Sequence, residues 1–348
     1  RMSTIRKRSL YRNIIPLKVI VNLKYNCMEL IYKKIIKNEL QQLEDTLISS
    51  ISSDIDLATE VTQHVVDSGG KRIRPVICIL VAKMLNYKGL ELIKLASSIE
   101  LLHTATLIHD DVVDQSSTRR GKESIHTKWD SAHSVLVGDF VYSKAFQLMA
   151  SFDNPEIIRI LADSTNRISE GEVKQLSLKK KEILSKEDYF DIINRKTAEL
   201  FKASATTAGT LASCNQNELS ALTNFSVSLG MNFQIKDDLL DYFGEEELTG
   251  KKIGKDFEEG KFTLPLIIAL PLMEKSDASM VLDTLFNNKK SDFKTIIKKI
   301  KQTGAIEKVE DICNQFSENC IKELEKFPKS DYKTGLIDIV ENINARVS

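Results

Sequence analysis

The chain has 348 residues, 42% of them hydrophobic and 28% charged, and its Lys plus Arg equal its Asp plus Glu at 49 each. That is the balance of an ordinary globular protein with enough apolar residues for a sizeable core. A net charge of zero excludes a general attraction to nucleic acid or to a membrane surface, so any polyanion has to be met locally. A membrane span needs about 20 strongly apolar residues, and neither apolar candidate qualifies: 263–273 is short and holds two prolines, and 219–235 is rich in Ser, Thr and Asn.

Residues 1–27 carry basic residues from Arg1 to Lys24, with no acid before Glu29. Arg-rich and acid-poor is how an organelle transit segment reads. The expectation is a basic extension over 1–28 and a mitochondrial or other organelle location. The alternative is a basic arm on a cytoplasmic protein. The cysteines (Cys27, Cys78, Cys214, Cys313, Cys320) form no CxxC pair, which predicts separate thiols in a reducing compartment.

From 29 to 348 the pattern predicts one all-α domain, a large helical bundle. No proline falls between Pro75 and Pro155 or between Pro155 and Pro265, and apolar residues recur at i, i+3, i+4, as in long helices. Strand signals are absent. Gly69-Gly70 ends one helix, and Pro75 sits in the first turn of the next, where its missing N–H costs little. Another helix covers 131–152, and Asn154-Pro155 opens the one after it. The lysines 179–181 read as a solvated turn. Ser185 with Asp188 forms a capping box ahead of YFDIINRKTAELFKASA.

One short self-similarity stands out: IHDDVVD (108–114) returns as IKDDLLD (235–241). Residues four apart on a helix lie about 40° apart around its axis. Asp110 and Asp114 therefore share a face, with Asp111 turned aside, and Asp237, Asp238 and Asp241 repeat the pattern. Carboxylates so close repel one another and need a counter-charge. No basic residue lies at helical spacing from the first cluster, so a hard divalent cation, Mg²⁺ above all, is the natural partner. If the two helices face each other, six carboxylates line one mouth.

Phosphate ligands are then expected. Lys71 and Arg74 stand beside a glycine pair that allows close backbone approach. Arg119 and Arg120 follow the first cluster, Lys196 and Thr197 fall mid-helix, and Lys251 and Lys261 follow the second cluster among glycines.

These residues resemble the trans-isoprenyl diphosphate synthases. DDVVD followed by RRGK looks like that family's first aspartate-rich motif, and FQIKDDLLD (233–241) like its second. GGKRIRP, HTATLIHDD, VLVGDF, KTAELF and GKDFEEGKFTLPL match in order and spacing, from about Asp54 to Leu272. Within the family the chain looks most like the long-chain polyprenyl synthases of octaprenyl or solanesyl type.

The resemblance implies an isoprenoid-synthase bundle around a central cavity, working on an allylic diphosphate and isopentenyl diphosphate. Asp110 and Asp114, supported by Asp111, would bind two Mg²⁺ ions. Asp237, assisted by Asp238 and Asp241, would bind a third, with Mn²⁺ as an alternative metal. Arg119, Lys196 and Lys261, with Lys251 nearby, would contact the allylic diphosphate. Lys71, Arg74, His103 and Arg120 would hold that of isopentenyl diphosphate. Thr197 and Gln234 would face the reacting carbons. The released diphosphate is expected to take the proton, which leaves His109 a supporting or solvent-facing place. A homodimer, a quinone side chain as the product's use, and peripheral membrane contact for product release are further family expectations.

Short-chain members often carry bulky aromatics at the fourth and fifth positions before the first aspartate. Here these are Thr106 and Ala105, so a long product is expected, with Phe140 and Phe146 as candidate floor or core residues. The alternatives are a short-chain farnesyl or geranylgeranyl diphosphate synthase and a non-catalytic subunit of a heteromeric synthase. A terpene cyclase fits less well, since both aspartate motifs and GGKRIRP are present.

Overall fold

The computed structural model describes residues 30–345 except 68, 120–121, 179–182, 244–253 and 288–292. The chain begins with α1 (Ile31–Ile35), α2 (Lys37–Ser50), α3 (Asp56–Val66), α4 (Ile73–Met84) and α5 (Glu91–Val113). A hairpin of β1 (Thr118–Arg119) and β2 (Lys122–Glu123) follows, then α6 (Ile125–Lys128), α7 (Ser131–Met149) and α8 (Pro155–Leu178). Next come α9 (Lys186–Ile193), a π-helical turn (Asn194–Ala198), α10 (Glu199–Leu211) and α11 (Gln216–Phe243). The chain closes with α12 (Lys255–Glu258), α13 (Leu264–Ala269), α14 (Lys275–Asn287), α15 (Phe293–Gln302), α16 (Ala305–Glu325) and α17 (Asp331–Asn344).

Among the described residues the fold is all-α apart from that hairpin, in which Thr118 pairs with Glu123 and Arg119 with Lys122. Strands of two residues are too short to show an alternating pattern, so no local signal marks them. Helix starts follow local chemistry. Ser185 Oγ accepts from the Asp188 amide at 3.0 Å, and its hydroxyl donates to the Asp188 carboxylate at 2.9 Å. Asn154 Oδ1 accepts from the Glu156 amide at 3.1 Å, with Pro155 as the first helical residue. The helix predicted over 131–152 ends at Met149.

Helix α10 is the hub: it packs on α4, α8 and α11, while α5 lies along α7 and α11 along α16. Both α4 and α10 are buried on nearly every side. Large side chains such as Phe201 and Phe225 are wholly enclosed, and burying each is worth roughly 1.5–3 kcal/mol. Cys78, Cys313 and Cys320 are buried free thiols and Cys214 is half-buried and free. Cys27, the extension 1–28 and the lysines 179–181 lie outside the described residues. Phe146 is not core: it is 40% exposed on α7 and packs edge-on against Tyr142 at 5.0 Å. Phe140 is half-buried against the main core, with the Lys144 ammonium over its ring.

Candidate active site

The three-to-four residue spacing on α5 gives His103, Thr106, Asp110 and Asp114 a common, half-buried stripe. On α11, Gln234, Asp237 and Asp241 form another. The stripe on α5 is met by lysines from elsewhere in the chain. Lys196, on the π-turn, lies 3.7 Å from Asp110, 2.8 Å from Glu172 and 3.0 Å from the Gln175 side-chain oxygen. Lys261 lies 3.1 Å from Asp114, 2.7 Å from Glu259 and 3.7 Å from Asp256. Lys255 donates to Ser116 Oγ at 2.8 Å, tying the end of the first motif to the segment after the second. The result is a ring: α5, the π-turn, α11, α12 and back to α5 through Lys261.

The expectation of six carboxylates at one mouth needs correcting. Adjacent residues on a helix point about 100° apart, so the second aspartate of each motif turns toward the core. Asp111 is 6% exposed and takes the Arg119 guanidinium on both oxygens, at 2.9 Å each. Asp238 is 4% exposed and accepts from the Tyr189 hydroxyl at 2.6 Å and the Gln234 amide at 2.8 Å. Gln234 presents its oxygen to the Thr197 hydroxyl, which donates at 2.8 Å. Asp241 caps α12, accepting from the Lys255 and Asp256 amides at 3.1 and 3.0 Å. Asp110, Asp114 and Asp237 stay half-buried, with Glu172 near Asp110 and Asp256 near Asp237.

The electrostatics reflect a crowd of acids short of cations. Burial raises Asp110, Lys196 opposes this, and Asp114 pushes it up again. Glu172 is raised by burial and then by Asp110. Burial and Asp256 push Asp241 up to about 7. Burial works to lower the Lys196 ammonium, but Asp110 and Glu172 outweigh it and raise it. Among the described residues no three acidic, imidazole or thiol groups are already drawn together as a metal cage. An all-oxygen donor set in pairs still fits Mg²⁺, which takes one or two carboxylates and completes its shell with water and substrate phosphate.

A second cationic group lies beside the ring. Arg74 Nη1 is 3.1 Å from His103 Nε2, and its guanidinium stacks 4.7 Å from the centre of the Phe201 ring. Lys71 is exposed at the start of α4. Arg120 and Lys251 lie outside the described residues. His109 leans on α7, with Nε2 3.3 Å from both the Val135 carbonyl and Asp139. Ala105 is completely enclosed, whereas Thr106 is half-open, its hydroxyl donating to the His103 carbonyl at 2.8 Å.

Sequence reasoning missed Glu172, Gln175, Tyr189, Lys255, Asp256 and Glu259. Glu172 and Gln175 sit in a charged helix with nothing local to mark them. Asp256 and Glu259 lie inside GKDFEEGK, where no local spacing sets them apart from solvated acids.

The π-turn itself is a packing product. A Cβ on Gly171 of α8 would come within 2.8 Å of Arg195 Cβ and 3.1 Å of the Lys196 amide nitrogen. One on Gly230 of α11 would lie 2.6 Å from Ala198 Cα. Two bare backbones thus let the wide turn nest between α8 and α11, with Lys196 aimed at Asp110 and Thr197 at Gln234.

A helical bundle with two acidic stripes closed into one ring, beside an arginine–histidine pair, is the arrangement of an isoprenoid synthase. Comparisons with known proteins agree. The polyprenyl synthetase family model matches residues 55–303. The octaprenyl diphosphate synthase of Escherichia coli is 36% identical over 294 residues, 84% of this chain and 91% of that enzyme. An all-trans-nonaprenyl-diphosphate synthase of Rhodobacter capsulatus is 34% identical over 305 residues, 87% of this chain and 94% of its own. The crystal structure of a polyprenyl synthase from Caulobacter crescentus, complexed with calcium and isoprenyl diphosphate, superposes with a TM-score of 0.87 at 33% identity, covering 91% of this chain and 98% of its own. The chain belongs to the polyprenyl synthetase family, and it is a prenyltransferase.

Proposed function

We propose that the chain condenses an allylic diphosphate, such as farnesyl or geranylgeranyl diphosphate, with successive isopentenyl diphosphates to make a long-chain all-trans polyprenyl diphosphate. The observation that carries this is the ring itself: Lys196 on Asp110 and Lys261 on Asp114, closed onto the second motif through Thr197–Gln234 and through the cap of Asp241 on α12. Asp110, Asp114 and Asp237 would hold Mg²⁺, three ions by family expectation, with Asp111, Asp238 and Asp241 orienting them. When bound, the metal neutralises charge on the departing diphosphate. Lys196 and Lys261 exchange their carboxylate contacts for allylic diphosphate oxygens, and Arg119 reaches the same group from its fork with Asp111. These cations stabilise the charge that develops as the allylic C–O bond breaks.

Lys71, Arg74 and His103 hold isopentenyl diphosphate so that its double bond lies against the allylic carbon. The Thr197 hydroxyl is spent on Gln234, so the lone pairs of its oxygen face the carbocation. The proton leaves to the released diphosphate, and His109, packed on α7, takes no part. A small residue at Thr106 leaves the growing tail a way down, which favours a long product over the short-chain alternative. Intact carboxylates in both motifs favour catalysis over a non-catalytic subunit. Among the described residues no helix is long and apolar enough to cross a membrane, and peripheral contact for product release is part of the proposal. A homodimer, an organelle location and quinone synthesis complete the reading.

Incubating the purified chain with farnesyl diphosphate, isopentenyl diphosphate and Mg²⁺, then chromatographing the products, tests it. Products well beyond C20, made only with the metal, are expected. Termination at C15 or C20 selects the short-chain reading, and no elongation selects the subunit.

A further inference from the structure

GGKRIRP contains three cations, and the site uses Lys71 and Arg74 only. Arg72 stands between them in an unusual state. Its backbone is left-handed (φ 49°, ψ 34°), a region that residues other than glycine seldom occupy. Such a conformation persists where the surroundings over-determine it, and it clusters at functional sites. Here the surroundings are explicit. The Arg72 side chain is 9% exposed. Its Nε and Nη2 donate to the two Glu44 oxygens at 2.9 and 3.2 Å. Nη1 donates to Glu100 at 2.8 Å, and Nη2 also donates to the Val66 carbonyl at 3.3 Å. One guanidinium therefore joins α2, the end of α3, the start of α4 and α5.

The connection to the site is short. Glu100 lies three residues before His103 on α5, and Arg72 lies two before Arg74. Arg72–Glu100 and Arg74–His103 are thus consecutive rungs between the start of α4 and the same stretch of α5. We infer that Arg72 is a positioning residue for the isopentenyl diphosphate site: its buried fork to Glu44 and Glu100 sets the spacing of Lys71, Arg74 and His103 without touching substrate. The role rests on the reading of those three residues as that site. A point charge would not serve, because Lys cannot span Glu44 in two parallel bonds and reach Glu100 as well.

Steady-state kinetics with each substrate varied in turn tests this on the full chain. Arg72→Lys should raise KM for isopentenyl diphosphate by about tenfold while kcat and KM for the allylic diphosphate stay within about twofold. Glu100→Gln, which keeps the shape but not the charge, should shift the same constant in the same direction. The double variant should be less than additive, because both changes break one contact. Glu44→Gln supplies a further measurement if Arg72→Lys does not fold. Arg74→Ala is the control. If it raises KM for isopentenyl diphosphate and neither Arg72→Lys nor Glu100→Gln does, the positioning role is overturned alone. Equal rises in both KM values in those variants also overturn it, since they indicate general loosening. If Arg74→Ala leaves that KM unchanged, the underlying site reading fails and the role of Arg72 fails with it.

Discussion

Asp111 and Asp238 hold the second place in their motifs and behave alike: each turns inward and spends both oxygens on protein donors. A helix cannot aim adjacent carboxylates into one cavity, so the inward one acts through what it orients, Arg119 in one case and Gln234 in the other. The same geometry separates Ala105 from Thr106. Sequence position alone makes both candidates for the tunnel wall, yet Ala105 has no exposed surface while Thr106 shares the stripe of Asp110. Thr106→Phe should therefore shorten the product, read by chromatography, with the fold retained. Ala105→Phe should instead overpack the core, lowering stability by about 1–3 kcal/mol, read by thermal unfolding. The reverse pattern would place Ala105, not Thr106, on the tunnel. The identity of the aspartates was legible in the sequence; which of them turn inward depended on neighbours such as Tyr189, 49 residues from Asp238.

Among the elements, the helix starts at Pro155 and Lys186 were readable, because a cap depends on residues within one turn. The π-turn at Asn194–Ala198 was not, since it exists through what packs on it. Its wide turn has poorer internal geometry than an α-helix and often marks a functional site. Gly171 and Gly230 press on it from opposite sides. Gly171→Ala should push the Lys196 backbone away from α8, moving its ammonium from Asp110 and Glu172. The expected outcome is a fall in kcat of tenfold or more, about 1.4 kcal/mol of barrier, with KM for isopentenyl diphosphate little changed. An unchanged kcat would mean that the turn keeps its place without that close approach.

Across the described residues, acid and base meet in one ring, and three of the thiols are fully buried. Cys78, Cys313 and Cys320 have no exposed surface, and burial pushes the Cys313 thiol up to about 12. Neither access nor thiolate is available to them, so alkylation should wait on global unfolding. Iodoacetamide at pH 8 with peptide mapping should label Cys214 well before these three. Equal labelling of Cys313 would reveal local opening between α11 and α16. The sequence by itself determined the helical class, the two acidic helices and the cationic motifs, because periodicity, capping and charge spacing are local properties. It could not determine which counter-charge meets which carboxylate. Asp110 and Asp114 are met by Lys196 and Lys261, more than 80 residues away along the chain and invisible to helical spacing. Only the packing of α8, the π-turn and α12 around α5 brings them together, and that packing turned two repeated motifs into a single ring.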